Sequence, residues 1–215
     1  MERIADGKVT IYMAGPAGNF ANNIYLVVDE ATKQAAFIDA PAEPEKSIAV
    51  AEEAGVQPGA ILLTHAHFDH TGGIEALKQR FGCKLYADPR ESRLAEGLLD
   101  EPVSDGQEIR IGDIAFEVVS VPGHTEGSTT YLFGKHAFVG DTLFPGGPGR
   151  TGSPDDLRQE LESITTRLYS LPEDTVIYPG HGATTTIGAS KAEYEGFAAR
   201  EHPSDLHGDV LWAES

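Results

Sequence analysis

Thr64-His65-Ala66-His67-Phe68-Asp69-His70 is the stretch on which the reading of this chain turns. Four side chains able to ligate a metal fall within it, directly after the apolar run Ala60-Ile61-Leu62-Leu63, which is too short for a helix and reads as a buried strand. At the composition of the chain, three His and one Asp at set positions arise by chance in about three of a million starts. Residues two apart in an extended segment point the same way, so His65 and His67 can grip one ion while the chain turns and Asp69 and His70 face a second.

Outward from this stretch the pattern is strand, loop, helix, strand. Ile74, Leu77 and Phe81 form a short apolar stripe that ends at Gly82, and Lys84–Asp88 returns to a sheet. Upstream, Lys8–Met13, Asn23–Asp29 and Gln34–Asp39 read as strands, followed by a helix over 45–54 stopped by Gly55. The second half repeats the rhythm, with strands expected at 108–112, 114–121, 129–133 and 136–140. A helix follows, with Ser153 as N-cap, Pro154 in its first turn and an apolar stripe of Leu157, Leu161, Ile164 and Leu168, and then a strand over 175–178. The segment His202–Trp212 is turn-rich. No linker or charge run separates the halves, so residues 1–215 are expected to form one domain of α/β class, two strand-rich halves packed as a sandwich.

Three more ligand candidates end later strands, each after a glycine: His124 in Val121-Pro122-Gly123-His124, Asp141 in Val139-Gly140-Asp141, and His181 in Tyr178-Pro179-Gly180-His181. Seven ligands suit two ions of three side chains each with one carboxylate shared. His136, His202 and His207 stand outside these motifs and are expected at the surface or in loops. With 16 Lys and Arg against 34 Asp and Glu, the net charge of −18 argues against a nucleic acid or an anionic membrane as partner. One cysteine, Cys83, excludes an internal disulfide, and with no long apolar run the expected location is cytoplasmic.

The loop His-x-His-x-Asp-His with a later His, Asp and His resembles the metallo-β-lactamase superfamily, over roughly residues 8 to 190. The segments Val121–Ser128, Val139–Thr151 and Tyr178–Gly182 look most like its glyoxalase II (hydroxyacylglutathione hydrolase) branch, in a short form without that branch's extra helical C-terminal domain. The resemblance implies an αββα sandwich with metals at one edge. His65, His67 and His124 would bind the first ion, Asp69, His70 and His181 the second, and Asp141 would bridge, making Asp69 and Asp141 the carboxylates of the catalytic centre. It also implies Asp39 as a carboxylate behind the ligands, orienting a histidine. The chain departs from glyoxalase II at Gly152, where that family has a glutathione-contacting Tyr, and Cys83 lies nowhere near a ligand position.

The expected activity is hydrolysis of a thioester or related small carboxylic ester by a metal-bound hydroxide, with zinc as the first choice of metal and iron or manganese as alternatives. Metal coordination lowers the pKa of water toward about 7, and a thiol leaving group, of pKa near about 8.5, departs without a dedicated acid. The stretch Leu143–Arg150 reads as a substrate-lining loop, with Phe144 along it and Arg150 reaching a substrate carboxylate. The alternatives are an iron-dependent persulfide dioxygenase, similar in Gly149-Arg150-Thr151, and a lactonase.

Overall fold

The computed structural model describes all residues from Met1 to Ser215. In chain order the first half comprises strands β1 (Glu2–Asp6), β2 (Val9–Ala17), β3 (Asn22–Asp29) and β4 (Ala35–Ile38), helix α1 (Pro44–Ala54), strand β5 (Ala60–Leu62), helices α2 (Phe68–Thr71) and α3 (Ile74–Phe81), and strands β6 (Lys84–Ala87) and β7 (Glu101–Pro102). The second half comprises β8 (Glu108–Ile111), β9 (Ile114–Ser120), β10 (Thr129–Phe133), β11 (His136–Gly140), the small hairpin β12 (Leu143–Phe144) and β13 (Gly147–Pro148), helix α4 (Pro154–Ser163), β14 (Val176–Pro179), β15 (Thr185–Thr186) and helix α5 (Ile187–Ala198).

Strands β1 to β7 form one sheet in sequence order, and the second sheet runs β15-β14-β11-β10-β9-β8. Their facing sides share one core, in which Ile11, Tyr25, Val27 and Ile38 from the first sheet meet Phe116, Val118, Tyr131, Phe138 and Tyr178 from the second. The outer face of the first sheet is covered by α1 and α3 through Val50, Ala51, Ile74 and Leu77. The outer face of the second is covered by α4 and α5 through Leu157, Ile164, Ile187 and Phe197. The result is the four-layered αββα sandwich, the central strands of each sheet buried on both faces as their apolar sequences require and the edge strands β1 and β8 partly exposed.

Local signals in the sequence act as read. Gly55 and Gly82 close α1 and α3 in the left-handed conformation, and the Ser153 side chain accepts the Asp156 amide at the start of α4. Past Ser163 the helix continues as a wider π-turn over Ile164–Leu168. The C-terminal turns are anchored, with Val210 and Trp212 buried beside Phe197. His136 corrects the expectation of a surface residue: it opens β11 buried, with Nδ1 2.9 Å from the Tyr178 hydroxyl and Nε2 3.1 Å from Asp6. Strand β1 and helix α5 have no counterpart in the sequence reading. No helix is long and apolar enough to cross a membrane.

Candidate metal centre

The seven sequence-predicted ligands meet at one edge of the sandwich. The first sheet sends His65, His67, Asp69 and His70 from the loop after β5, while the second sends His124 from after β9, Asp141 from after β11 and His181 from after β14. Cross-sheet hydrogen bonds hold these ends together. The Thr129 amide donates to the Thr64 carbonyl (2.9 Å), the Tyr131 hydroxyl to the Leu63 carbonyl (2.9 Å) and the Asn23 amide to the Gly180 carbonyl (2.7 Å). Gly140 needs its positive φ of 54°, and a Cβ there would stand 2.3 Å from Thr64 Oγ1. Gly180 is required for another reason. A Cβ would fall 2.3 Å from Asp141 Oδ1 and 2.5 Å from His70 Cε1, so any side chain would enter the centre.

Three donor groups result: His65, His67 and His124; His65, His70 and Asp141; and Asp69, His70 and His181. His67 Nδ1 lies 3.2 Å from His65 Nε2 and 3.0 Å from His124 Nε2. Asp141 stands between the outer groups, with Oδ1 3.4 Å from His70 Nε2, and Oδ2 3.3 Å from His181 Nε2, 3.9 Å from His124 Nε2 and 4.0 Å from His65 Nε2.

The outward ring nitrogens set the inward ones. His70 Nδ1 faces Asp39 (2.8 Å), His124 Nδ1 the Arg150 carbonyl (2.9 Å), His181 Nδ1 the Phe20 carbonyl (2.8 Å) and His65 Nδ1 the Thr64 hydroxyl (3.1 Å). Each acceptor keeps the proton on Nδ1 and leaves Nε2 aimed inward. Asp39 also accepts the Thr64 amide (2.7 Å) and hydroxyl (2.9 Å), so one buried carboxylate orders both His70 and the residue before His65.

Electrostatics divides the groups. Burial, reinforced by the neighbouring imidazoles, pushes His65 well down and His67 to about 4. Burial also lowers His124. These rings are neutral, with lone pairs free. Burial pulls on His70 and His181 too, but Asp141 and Asp39 outweigh it at His70, and Asp141 and Asp69 raise His181 to about 9. Despite burial, Asp69 is held at about 2 by His181 and His70, and Asp141 far below the carboxylate range, chiefly by His70. The anionic pair therefore draws positive charge into the centre, where a proton or a metal ion can supply it. Asp141 Oδ1 is buried without a hydrogen-bond partner, the state of a carboxylate oxygen shaped for a cation. On both counts the donor set fits divalent ions.

The two residues expected to contact substrate, Phe144 and Arg150, lie beside this cluster. The Phe144 ring is half-buried, 6.4 Å from the ring of His181. The Arg150 side chain is largely exposed, with Nε 3.5 Å from Asp209, and its carbonyl rather than its guanidinium touches a ligand. Two further positioning residues lie outside the motifs. Buried Glu91 accepts the Ala66 amide (2.8 Å) and the Thr125 hydroxyl, clipping the loop of His65 and His67 to that of His124. Asn22 Nδ2 donates to Asp69 Oδ2 (3.0 Å). Nothing local in the sequence marks Asn22 or Glu91.

A family profile described as the metallo-beta-lactamase superfamily matches residues 17–181. The chain is 34% identical over 197 residues to hydroxyacylglutathione hydrolase GloC of Haemophilus influenzae, covering 82% of this chain and 92% of that protein. It spans only 65% and 62% of the longer hydroxyacylglutathione hydrolases of Xanthomonas axonopodis and Pseudomonas entomophila. Among solved structures, ETHE1 from Myxococcus xanthus superposes with a TM-score of 0.77 at 30% identity, covering 88% of this chain and 86% of that one. The BLEG-1 B3 metallo-beta-lactamase gives 0.74 at 31% (84% and 97% covered), and TTHA1623 in a di-iron-bound form gives 0.70 at 32% (84% and 96% covered). With the αββα layers and the profile match spanning most of its length, the chain belongs to the metallo-beta-lactamase superfamily.

Proposed function

We propose that residues 1–215 form one domain that hydrolyses a thioester or related small carboxylic ester at a dinuclear metal centre, with zinc the first candidate and a cytoplasmic setting. The observation that carries this reading is the placing of Asp141 between two histidine groups, with Oδ1 3.4 Å from His70 and Oδ2 3.3 Å from His181 in one, and Oδ2 3.9 Å from His124 and 4.0 Å from His65 in the other. His65, His67 and His124 would hold one ion, Asp69, His70 and His181 the other, and Asp141 both. When bound, such ions supply Lewis acidity and lower the pKa of water. The chain's own residues supply orientation. Asp39, Phe20 and Arg150 fix the rings of His70, His181 and His124, and Asn22 fixes Asp69, so the donors need no rearrangement to receive the ions. Phe144 beside His181, and Arg150 at the rim, are the proposed substrate contacts. The likeness to GloC supports a thioester, whose thiolate leaves without a proton donor. The test counts metal in protein purified without supplement and compares thioesters, lactones and amides of matched acyl groups. Two ions per chain and turnover that rises with leaving-group acidity are expected, and efficient amide cleavage would defeat the reading.

One second reading is an iron-dependent persulfide dioxygenase, to whose branch Gly149-Arg150-Thr151 is similar. A single iron per chain and oxygen uptake on adding a thiol persulfide would establish it in place of the hydrolase.

A further inference from the structure

Four large apolar side chains are exposed on the whole molecule: Met1, Phe20, Phe68 and Leu211. Two of them meet at the metal centre. Phe20 is 54% exposed and Phe68 69%, and their rings pack edge to face with centroids 5.0 Å apart. Both are fastened to ligands. Phe68 lies between His67 and Asp69 in the chain, and the Phe20 carbonyl accepts from His181 Nδ1. Phe144 extends the apolar rim past the ring of His181.

The other side of the centre has the opposite character. Beside His67 and His124 lies a cavity of about 210 Å³ with no apolar side chain in its lining, which includes Arg90, Arg93, Glu126 and Gln159. Water wets this side readily, while the phenyl pair gains by being covered.

We infer that the acyl part of the substrate is apolar and docks on Phe20 and Phe68, leaving the polar thiol carrier toward Arg93. This rests on the hydrolase reading for the identity of the substrate, but the apolar subsite itself is a matter of surface chemistry. A small hydroxyacyl group would gain little from two phenyl rings. An alkyl or aryl chain of four or more carbons would cover them.

The test uses zinc-loaded protein and S-alkyl thioethers of N-acetylcysteine from methyl to hexyl, which cannot be hydrolysed, with affinity read by calorimetry. Affinity should rise about two- to fourfold per methylene. In the double variant Phe20→Ala/Phe68→Ala, at unchanged metal content, the gain per methylene should fall by more than half. Phe68→Leu should retain most of it. No dependence on chain length in the native protein, or an undiminished dependence in the double variant, would overturn the inference. So would a self-association that the double variant abolishes while chain length has no effect, since the pair would then serve a second copy. Hydrolysis of the matching acyl thioesters is measured in parallel. If thioether binding follows chain length and no thioester is cleaved, the hydrolase reading fails and the apolar subsite stands.

Discussion

Replacing Asp39 by Asn isolates what one buried carboxylate does for the centre. The backbone at Asp39 has φ 60°, a left-handed conformation that Asn adopts as readily as Asp, so the exchange leaves the turn in place. Oδ1 accepts the Thr64 amide at 2.7 Å, and an Asn oxygen can keep that bond. The amide nitrogen then takes the place of Oδ2, which accepts from the Thr64 hydroxyl at 2.9 Å and His70 Nδ1 at 2.8 Å. Donor would face donor at His70. The ring escapes by moving its proton to Nε2, the atom aimed at the metal position. Hydrogen bonds to charged groups contribute about 1.5–3 kcal/mol each, and loss of an outer partner of a metal-bound histidine lowers metal affinity about 10- to 100-fold. Asp39→Asn should therefore weaken the ion of Asp69, His70 and His181 by that factor and the ion of His65, His67 and His124 by less, since Asp39 reaches His65 only through the Thr64 hydroxyl. Competition against chelators of graded affinity, with metal counted at each step, measures both. Two ions held at native affinity would refute the reasoning, because His70 would then be oriented by something other than Asp39.

Asp141→Ala should cost more metal and more turnover than loss of any single histidine, because its carboxylate faces His70 and His181 on one side and His65 and His124 on the other; elemental analysis beside kinetics would show it, and retention of both ions would exclude a bridging role. Glu91→Ala should loosen the ion held by His65, His67 and His124 and lower the melting temperature, since the buried Ala66 amide loses its acceptor at a cost of about 1–3 kcal/mol. Glu91→Gln should behave nearly as native, its carbonyl still accepting from Ala66, and metal titration of the two variants separates these outcomes. Glu160 is buried, neither carboxyl oxygen completes a well-formed hydrogen bond, and burial pushes its pKa up to about 9 with the Gly149 amide offsetting part of the effect. A raised pKa means stability present at low pH and lost as pH climbs from about 4.5 to about 9, so Glu160→Gln should melt with the native protein near pH 4.5 and at least about 4 °C above it at pH 8.5. Parallel melting curves across that range would show the carboxyl to be solvated.

The seven candidate ligands that the fold brings together were legible in the sequence because metal chemistry restricts both residue type and spacing, and because His124, Asp141 and His181 each follow an apolar strand and a glycine. Asp39 was legible only through the family resemblance, since a carboxylate ending a strand is otherwise an ordinary turn residue. Glu91 was not, since its partners are separated from it by 25 and 34 residues and it reads locally as one acidic residue in a polar loop. Asn22, 47 residues from Asp69, was hidden likewise. His136 follows a Gly-Lys turn, which suggests exposure, and only the fold brings Tyr178 and Asp6 to its two ring nitrogens. Helix α5 carries two glycines and a weak apolar period, so packing against Trp212 rather than local preference decides it.

The division of the ligands between the two sheets makes metal a mechanical element of the fold. Each proposed ion takes donors from both sheets, so loading it pins one edge of the sandwich as a rivet would. Mass action then ties folding to metal supply: free metal at a hundred times its dissociation constant adds about 2.7 kcal/mol per ion to the native state. The shared interior of both sheets does not depend on the ions, so chelation leaves the layers stacked and opens that one seam. Amide exchange should quicken first at the loops that carry His65 and His181, and only later in the strands behind them.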